Sequence, residues 1–378
     1  MVCNVGIYNL HMRAMGGGEK LTLALAEHLS RSHNVTLFCS DLLKINALEQ
    51  FFDVDLSQVT VHPLNAGGPL HQVAARILGR EPAVSLQHHR ELSKLNLDVF
   101  INNSYASGLR CPVPRGLFMC MFPHSLSTSA LDTYAMIAAI SQYAADWVGQ
   151  MWNRHAEVIY PPCDDMGPAT SKRKIILNVG RFIAPGNDTR RHHKMQRRLL
   201  EAFETMTDIH NDGWELHFAG SVAPDNDSAR FAASLKENLS SLPVFFHFDA
   251  PRDEIKDLYR TAAIYWHATG YGLDADKYPA TQEHFGIATV EAMSAGAVPV
   301  VYSSGGQKEI VTDRVDGVWW NSLDALISHT RRLASDVVLR DELARQAVLS
   351  SRRFGKDAFA LSVDKLMDQL LSKESATA

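Results

Sequence analysis

Short apolar segments alternate with longer amphipathic segments along most of the chain, and this rhythm limits the possible folds more than any other property of the sequence. Short apolar runs are typical of buried strands, and amphipathic stretches are typical of helices, so the alternation indicates parallel βαβ units. In the first half, the segments predicted to be strands are NVGIYNL (4–10), NVTLFCS (34–40), VTVHPL (59–64), DVFINNS (98–104), GLFMCMF (116–122), AMIAAIS (135–141) and AEVIYPP (156–162).

Residues 160–174, YPPCDDMGPATSKRK, interrupt the rhythm with proline, glycine and small polar residues, so they are predicted to form a linker. After the linker the predicted strands are KIILNVG (174–180), WELHFAG (214–220), VFFHFDA (244–250), AAIYWHA (262–268) and AVPVVYS (297–303). The region from Ser322 onward shows no strand signal and is expected to form successive helices.

A chain of 378 residues is too long for one ordinary core and suits two domains. We therefore predict an α/β protein with two Rossmann-like, parallel-sheet domains that face each other across a cleft, and with a helical carboxyl terminus. The first domain is predicted to span residues 1–165 and the second residues 166–378.

The composition excludes several classes of protein. The net charge of −5, from 37 basic and 42 acidic side chains, argues against a protein whose main role is to coat nucleic acid. The sequence has no run of about 18 apolar residues and no signal-peptide pattern, so we expect a soluble protein with at most a peripheral membrane contact. Five cysteines, odd in number and without CxxC spacing, favour a reducing cytoplasm.

Parallel sheets bind ligands at the carboxyl ends of their strands, and the first candidate loop is MGGGEK at 15–20. Adjacent glycines permit close backbone approach, so Gly16, Gly17 and Gly18 could present amides to a phosphate or a sugar. The spacing matches neither GxGxxG nor GxxxxGK, and a plain flexible loop explains these glycines equally well.

The second candidate is NVGRFIAPGNDTRRHHKMQRRLLEAF at 178–203. Arg181 directly follows a predicted strand, and Lys194 opens a predicted helix. A guanidinium and an ammonium at these positions suit a diphosphate. The surrounding Arg190 and Arg197 group is better interpreted as a solvated basic helix face.

The third candidate is ATQEHFGIATVEAMSAGAVPVVYSSGG at 280–306. Gly286 is predicted to end a loop so that a helix begins at about Ile287, whose first amides would face a phosphate. Glu291 lies five residues after Gly286, about 7.5 Å along a helix axis, which suits a ribose beside a diphosphate. Glu283, in the loop before the helix, would face the other side of the phosphate, where a sugar that is transferred from it would lie. Two ordinary surface glutamates are the alternative, but small apolar neighbours predict that Glu291 is partly buried.

This stretch resembles the signature of glycosyltransferase family 4, the retaining enzymes of GT-B fold, in which two glutamates separated by seven residues flank FG and lead into EAM, VPVV and GG. The residues in matching order are Glu283, Phe285, Gly286, Glu291, Ala292, Met293, Gly296, Pro299, Gly305, Gly306 and Glu309. The VGR at 179–181, the GGGE loop and ISQYAADWV at 140–148 are also similar to that family.

The resemblance implies a nucleotide-sugar donor held mainly by the second domain. Arg181 and Lys194 would neutralise the diphosphate, together with the amides near Phe285, Gly286 and Ile287. Glu291 would hold the ribose, and Glu283 the donor sugar.

In the first domain, the resemblance implies that Gly16 and Gly17 close over the phosphates and that His124 lies in the acceptor-side wall. Here the loop between Arg181 and Lys194 is longer than is usual in the family.

The expected reaction is retaining transfer of a hexosyl group from a nucleotide-diphosphate sugar to an acceptor hydroxyl, without a metal or other cofactor. The donor could be UDP- or GDP-linked, and the acceptor a sugar, a lipid-linked molecule or a small molecule. A nucleotide-sugar epimerase, a phosphorylase and a non-catalytic nucleotide-sugar-binding protein are the alternatives. The sequence does not indicate the oligomeric state.

Overall fold

The computed structural model describes residues 2–10, 12, 16–40, 45–64, 80–105, 107–124, 128–167, 171–185, 193–237, 239 and 242–372. The chain divides into two units, one formed by Met1–Pro162 with Asp357–Ala378 and the other by Cys163–Lys356. This division falls inside the predicted linker. It differs from the predicted ranges at the carboxyl terminus, which joins the first unit.

The first unit is built on a parallel sheet whose strands occur in the spatial order β3-β2-β1-β4-β5-β6-β7. Each of the segments predicted to be strands in the first half contributes one strand to it. Their bounds are β1 (Asn4–Tyr8), β2 (Asn34–Cys39), β3 (Val59–Pro63), β4 (Val99–Asn102), β5 (Gly116–Cys120), β6 (Met136–Ala139) and β7 (Glu157–Val158). The chain order reverses between β1 and β4, so this sheet has its topological switch point there.

The described helices of the first unit are α1 (Gly17–Ser30), α2 (Ile45–Phe52), α3 (Arg80–Leu92) and α4 (Gln142–Trp152), with a 3₁₀ turn at Thr128–Thr133. Helix α1 directs Leu21, Leu25 and Leu29 into the core against β1 and β2. Their spacing of four residues places them on one face of the helix, which explains why this segment is amphipathic.

The second unit contains a parallel sheet in the order β10-β9-β8-β11-β12-β13. The strands are β8 (Arg173–Val179), β9 (Glu215–Gly220), β10 (Val244–Phe248), β11 (Ala262–His267), β12 (Val298–Tyr302) and β13 (Val318–Trp320). The sequence predicted all of these except β13, which is only three residues long and lies at the edge of the sheet. The switch point lies between β8 and β11.

The described helices of the second unit are α5 (Gln196–Glu204), α6 (Thr207–Asn211), α7 (Asn226–Ser234), α8 (Arg252–Thr261), α9 (Ile287–Ser294), α10 (Gln307–Ile310), α11 (Leu323–Ser335) and α12 (Val337–Ser351). Short 3₁₀ turns occur at Pro279–Thr281 and Arg352–Phe354. Buried clusters lie on both faces of the sheet, as expected for a parallel sheet covered by helices. Trp320 of β13 is buried in one of these clusters.

The last helix, α13 (Lys356–Ser372), corrects the predicted second domain of 166–378. Its buried side chains, among them Phe359, Val363 and Leu370, join the same core as Leu21 of helix α1. The apolar spacing of α13 in the sequence indicates a buried face, but periodicity alone cannot say which of two sheets that face will cover. Only the tertiary packing assigned this helix to the first unit.

Candidate functional site

The carboxyl ends of β8 and β11 lie side by side at the switch point of the second sheet. Arg181 comes two residues after the last residue of β8, and His267 is the last residue of β11. The stem of Lys194 lies against Gly180, because a Cβ added to that glycine would be 3.0 Å from Cγ of Lys194. The fold therefore brings the two cationic residues predicted from the sequence to the same edge of the sheet.

Glu283 lies at this edge and is held by three neighbours. Its Oε2 atom is 2.5 Å from Nζ of Lys194, accepts a hydrogen bond of 3.1 Å from Oγ1 of Thr269 and is 3.3 Å from Nε2 of His267. The side chains of Glu283 and Lys194 are only 15% and 21% exposed, so this ion pair is largely withdrawn from solvent. Such a pair has a defined geometry that a surface pair lacks.

The charges of this cluster follow from its surroundings. Burial by itself would raise the pKa of Glu283, but the Lys194 ammonium and the His267 hydrogen bond outweigh burial and hold the pKa well below its ordinary value. Burial lowers the pKa of His267, although the Glu283 carboxylate opposes that change. At neutral pH Glu283 is therefore an anion, and His267 is a neutral ring that donates from Nε2.

The glycine of the FG pair permits a close approach that no other residue would allow. Gly286 has φ +127° and ψ 59°, and a Cβ at this position would collide with the side-chain amide of Gln307. That amide donates to the carbonyl of Phe285 (3.1 Å) and its oxygen accepts from Oγ1 of Thr289 (2.9 Å). The buried Gln307 thus ties the loop before α9 to the first turn of this helix.

Helix α9 begins at Ile287, as the sequence predicted, so its first amides lie directly after Gly286. Glu291 is half-buried, which confirms the predicted partial burial, and its Oε2 accepts a hydrogen bond of 3.1 Å from the hydroxyl of Tyr259. Burial and the Glu291 charge raise the pKa of Tyr259 well above its ordinary value, so the phenol keeps its proton and remains a donor.

The basic segment before α5 is only partly described. Arg190 and most of the lengthened loop between Arg181 and Lys194 lie outside the described residues. Arg197 donates to the carbonyl and hydroxyl of Ser234 (2.8 and 2.9 Å), which supports its interpretation as part of the helix surface.

In the first unit, Gly16 precedes helix α1 and Gly17 is its first residue, at the switch point between β1 and β4. The carboxylate of Glu19 accepts from the amide of Gly16 at 2.7 Å, which fixes the start of the helix. The amide of Asn103, just after β4, donates to Thr22 (2.7 Å) and to the carbonyl of Gly18 (3.2 Å). The glycine loop is therefore anchored to the neighbouring strand.

His124 also belongs to the first unit and lies after β5. Its ring stacks on Tyr105 with centroids 5.3 Å apart and meets Trp152 edge to face at 6.3 Å. The indole of Trp152 donates to the carbonyl of His124 at 3.1 Å. His124 is therefore half-buried within an aromatic wall of this unit.

The second unit contains most of the residues that the sequence singled out, namely Arg181, Lys194, Glu283, Phe285, Gly286, Ile287 and Glu291. Gly16, Gly17 and His124 lie in the first unit. Sequence reasoning missed His267, Thr269 and Tyr259 as partners of the glutamates. Two of them could have been found from the sequence, because His267 lies at the end of a predicted strand and Thr269 directly follows that strand.

Among the described residues, no group of three or more His, Cys, Asp or Glu side chains is arranged to hold a metal ion. None of the helices in the described ranges has both the length and the apolar character that a membrane span requires.

Residues 167–348 match the family model described as "Glycosyl transferases group 1". Among the relatives, the "GDP-Man:Man(3)GlcNAc(2)-PP-Dol alpha-1,2-mannosyltransferase" of Yarrowia lipolytica is 29% identical over 191 residues, which are 46% of this chain and 28% of that protein. The protein of the same name from Xenopus laevis is 29% identical over 220 residues, which are 53% of this chain and 41% of that protein. The chain thus matches well under half of the length of these relatives.

Solved glycosyltransferase structures share the fold. A glycosyltransferase from Rickettsia africae superposes with a TM-score of 0.73 at 13% identity, over 99% of this chain and 100% of that one. HepE of Anabaena, solved with UDP and glucose, superposes with a TM-score of 0.71 at 14% identity, over 97% of this chain and 100% of that one. The predicted GT-B architecture, with two parallel-sheet α/β units, is confirmed. The residues that match this family model make up most of the second unit.

Proposed function

We propose that this protein is a glycosyltransferase that moves a hexosyl group from a nucleoside-diphosphate sugar to an acceptor hydroxyl. One observation carries the proposal: the Lys194 ammonium and the Glu283 carboxylate are paired, 2.5 Å apart, at the switch point of the second sheet and next to the start of α9. The matching family domain supports it, because the paired residues lie within the matched range.

The diphosphate is the part of the donor that this edge of the sheet suits best. When the bond from the anomeric carbon to the phosphate oxygen breaks, negative charge grows on the leaving diphosphate. Lys194, Arg181 and the first amides of α9 would stabilise that charge. Because these groups belong to the ends of strand β8 and helix α9 and to the segments beside them, they would need little reorganisation during the reaction.

The two glutamates suit hydroxyl groups on either side of the diphosphate. All three hydrogen bonds to Glu283 described above fall on Oε2, so we assign Oε1 to a hydroxyl of the donor sugar. Glu291 lies one turn into α9 and is steadied by Tyr259, and we assign it to the ribose. Both carboxylates act as acceptors, which is what sugar hydroxyls require.

We further propose that the configuration at the anomeric carbon is retained and that no metal takes part, on the strength of the resemblance to retaining enzymes. The acceptor oxygen would form its bond to the anomeric carbon on the face from which the diphosphate departs. The proton of the acceptor hydroxyl would pass to the leaving phosphate oxygen, so this scheme needs no side-chain nucleophile.

The names of the relatives support a choice of donors to test. Proteins named GDP-Man-dependent alpha-1,2-mannosyltransferases match the chain in sequence, and HepE was solved with UDP and glucose. We propose GDP-mannose as the first donor to test, UDP-glucose as the second, and a glycan hydroxyl as the acceptor.

The experiment compares Lys194→Ala with Lys174→Ala. Lys174 lies at the start of β8 and pairs with Asp212 at 2.8 Å. The two residues form a matched lysine–carboxylate pair at the amino ends of the strands, opposite to the candidate site. Calorimetric titration with GDP, UDP and guanosine measures binding, and release of the nucleoside diphosphate from each donor measures transfer. Loss of one charge-assisted contact is worth about 1.5–3 kcal/mol, or roughly tenfold or more in affinity.

We expect Lys194→Ala to weaken the diphosphates by that factor while guanosine binding and the Lys174→Ala variant stay unchanged. If the two variants bound the diphosphates with equal affinity, Lys194 would not contact the phosphates and the proposal would be wrong. Conversion of the donor sugar without transfer to an acceptor would favour an epimerase, and bound nucleotide without turnover of any donor would favour a binding protein.

A further inference from the structure

Two histidines form a chain of hydrogen bonds on the face of the second sheet that α8 covers. His217 lies in β9 and His247 in the edge strand β10. Glu215, two residues before His217, and Glu254, in the first turn of α8, lie at the two ends of the chain. Neither histidine takes part in the candidate site described above.

The distances define a continuous path. Glu215 Oε2 is 3.1 Å from Nε2 of His217, Nδ1 of His217 is 3.0 Å from Nε2 of His247, and Nδ1 of His247 is 2.6 Å from Oε1 of Glu254. The two rings are within 11° of parallel, and their centroids are 5.2 Å apart. Because the centroids are much farther apart than the facing nitrogens, the rings meet edge to edge, which is the geometry of a hydrogen bond.

The number of ring protons follows from these three contacts. A carboxylate is only an acceptor, so Nε2 of His217 and Nδ1 of His247 must both carry hydrogen. The contact between the two rings needs one hydrogen more. Two neutral rings supply two N–H groups and two charged rings supply four, whereas the chain of contacts needs three.

The surrounding charges favour the same number. Arg173 of β8 approaches Glu215 at 3.2 Å, so the charged neighbours of the pair are one guanidinium and two carboxylates. One extra proton on the pair makes this group neutral overall. Burial lowers the pKa of His217 against the opposing hydrogen bond to Glu215, and a charge on His247 lowers it further, which resists a second proton.

We propose that His217 and His247 share one added proton and so form a pH-dependent clasp that fastens the edge strand β10 and the amino end of α8 to β9. The clasp is complete only in this one-proton state. Loss of the proton leaves a bare ring nitrogen facing a carboxylate or the other ring, and a second proton places two N–H groups against each other. The same helix, α8, carries Tyr259, which donates to Glu291.

The proposal determines how stability depends on pH. Each histidine of the unfolded chain titrates near about pH 6.5, so the unfolded pair holds one proton on average at that pH. Above it the folded pair holds more protons than the unfolded pair, and stability falls as pH rises. Below it the folded pair holds fewer, and stability falls as pH drops. The contribution of the pair is therefore greatest near about pH 6.5.

The test measures the melting temperature of the full chain and of the double variant His217→Gln/His247→Gln between pH 5 and 8.5. Subtracting one curve of melting temperature against pH from the other cancels the contributions of the histidines that both proteins contain. We expect the difference to be greatest near about pH 6.5 and to fall by about 2–4 °C towards both ends of the range. A difference that only grows with pH would mean two neutral rings, and one that only shrinks would mean two charged rings; either overturns the proposal.

His155→Gln is the matched control, because His155 is 83% exposed and, among the residues that the structure describes, contacts the carboxylate of Glu157 at 3.2 Å without a second histidine. The difference in melting temperature between the full chain and this variant should show no maximum near about pH 6.5. If the double variant does not fold, the nitrogen resonances of ¹⁵N-histidine-labelled protein at pH 7 decide, since the proposal requires three of the four ring nitrogens of the pair to carry hydrogen. Two or four would contradict it.

Discussion

Replacing Gly286 by alanine should destabilise the second unit by much more than an ordinary glycine substitution, because two separate costs coincide at this position. The backbone has φ +127°, a region that L-residues avoid, and alanine there costs about 1–3 kcal/mol. The added Cβ also collides with the Gln307 amide, which is fully buried.

The second cost follows from what Gln307 holds. If its amide moves, the carbonyl of Phe285 and the hydroxyl of Thr289 lose their partner in a buried setting. Each buried polar group without a partner costs about 1–3 kcal/mol, so the two groups and the backbone strain together give an expected loss of roughly 3–9 kcal/mol. The start of α9 would shift with the amide.

Gly213→Ala is the matched control. Gly213 belongs to the same unit and has φ +82°, but an added Cβ would meet nothing within 4 Å. We therefore expect this variant to lose only about 1–2 kcal/mol from backbone strain. The effect of alanine on the unfolded chain is the same in both variants and cancels in the comparison.

Urea unfolding followed by tryptophan fluorescence suits the measurement, since Trp214, Trp266, Trp319 and Trp320 all lie in the second unit. If the two variants lose unfolding free energies within about 1 kcal/mol of each other, the approach of Gln307 does not add to the cost of a side chain at position 286, and the reasoning is refuted.

The remaining predictions concern the glutamates and the proposed metal independence. Tyr259→Phe removes a donor to Glu291, so we expect about fivefold weaker nucleotide binding, from roughly 1 kcal/mol, with folding preserved; unchanged affinity by calorimetry would contradict this support. Because the pKa of Glu283 is held low, its ion pair contributes fully above about pH 4.3 and is lost in more acidic solution. The difference between wild type and Lys194→Ala in the free energy of unfolding by urea should therefore stay constant from about pH 6 to 8. A change in that interval would contradict the low pKa of Glu283. Chelation with EDTA should leave transfer unaltered, whereas a loss restored by Mg²⁺ or Mn²⁺ would refute a metal-free reaction.

Much of the fold could be predicted because parallel strands are buried on both faces and stand out as short apolar runs. The stretch that became β4, VFIN, is buried at every position, and the sequence shows it clearly. Strand β13 was missed because three residues at a sheet edge leave no period to detect. The apolar face of α13 could be predicted, but its partner core could not.

At the candidate site, the start of α9 and the partial burial of Glu291 followed from glycine and from the small apolar neighbours in one continuous segment. The partners of Glu283 did not. Thr269 and His267 reach it across 14 and 16 residues, and Lys194 across 89 residues. No local pattern records contacts between residues so far apart in the chain.

The order of strands and helices, the glycine that begins α9 and the acidic positions on either side of it were properties of the sequence itself, because each depends on the chemistry of neighbouring residues. The pairing of Lys194 with Glu283 and the proton-sharing geometry of His217 and His247 depended on the tertiary structure. Sheet order and helix packing set these distances, and they arise only when separate segments of the chain meet.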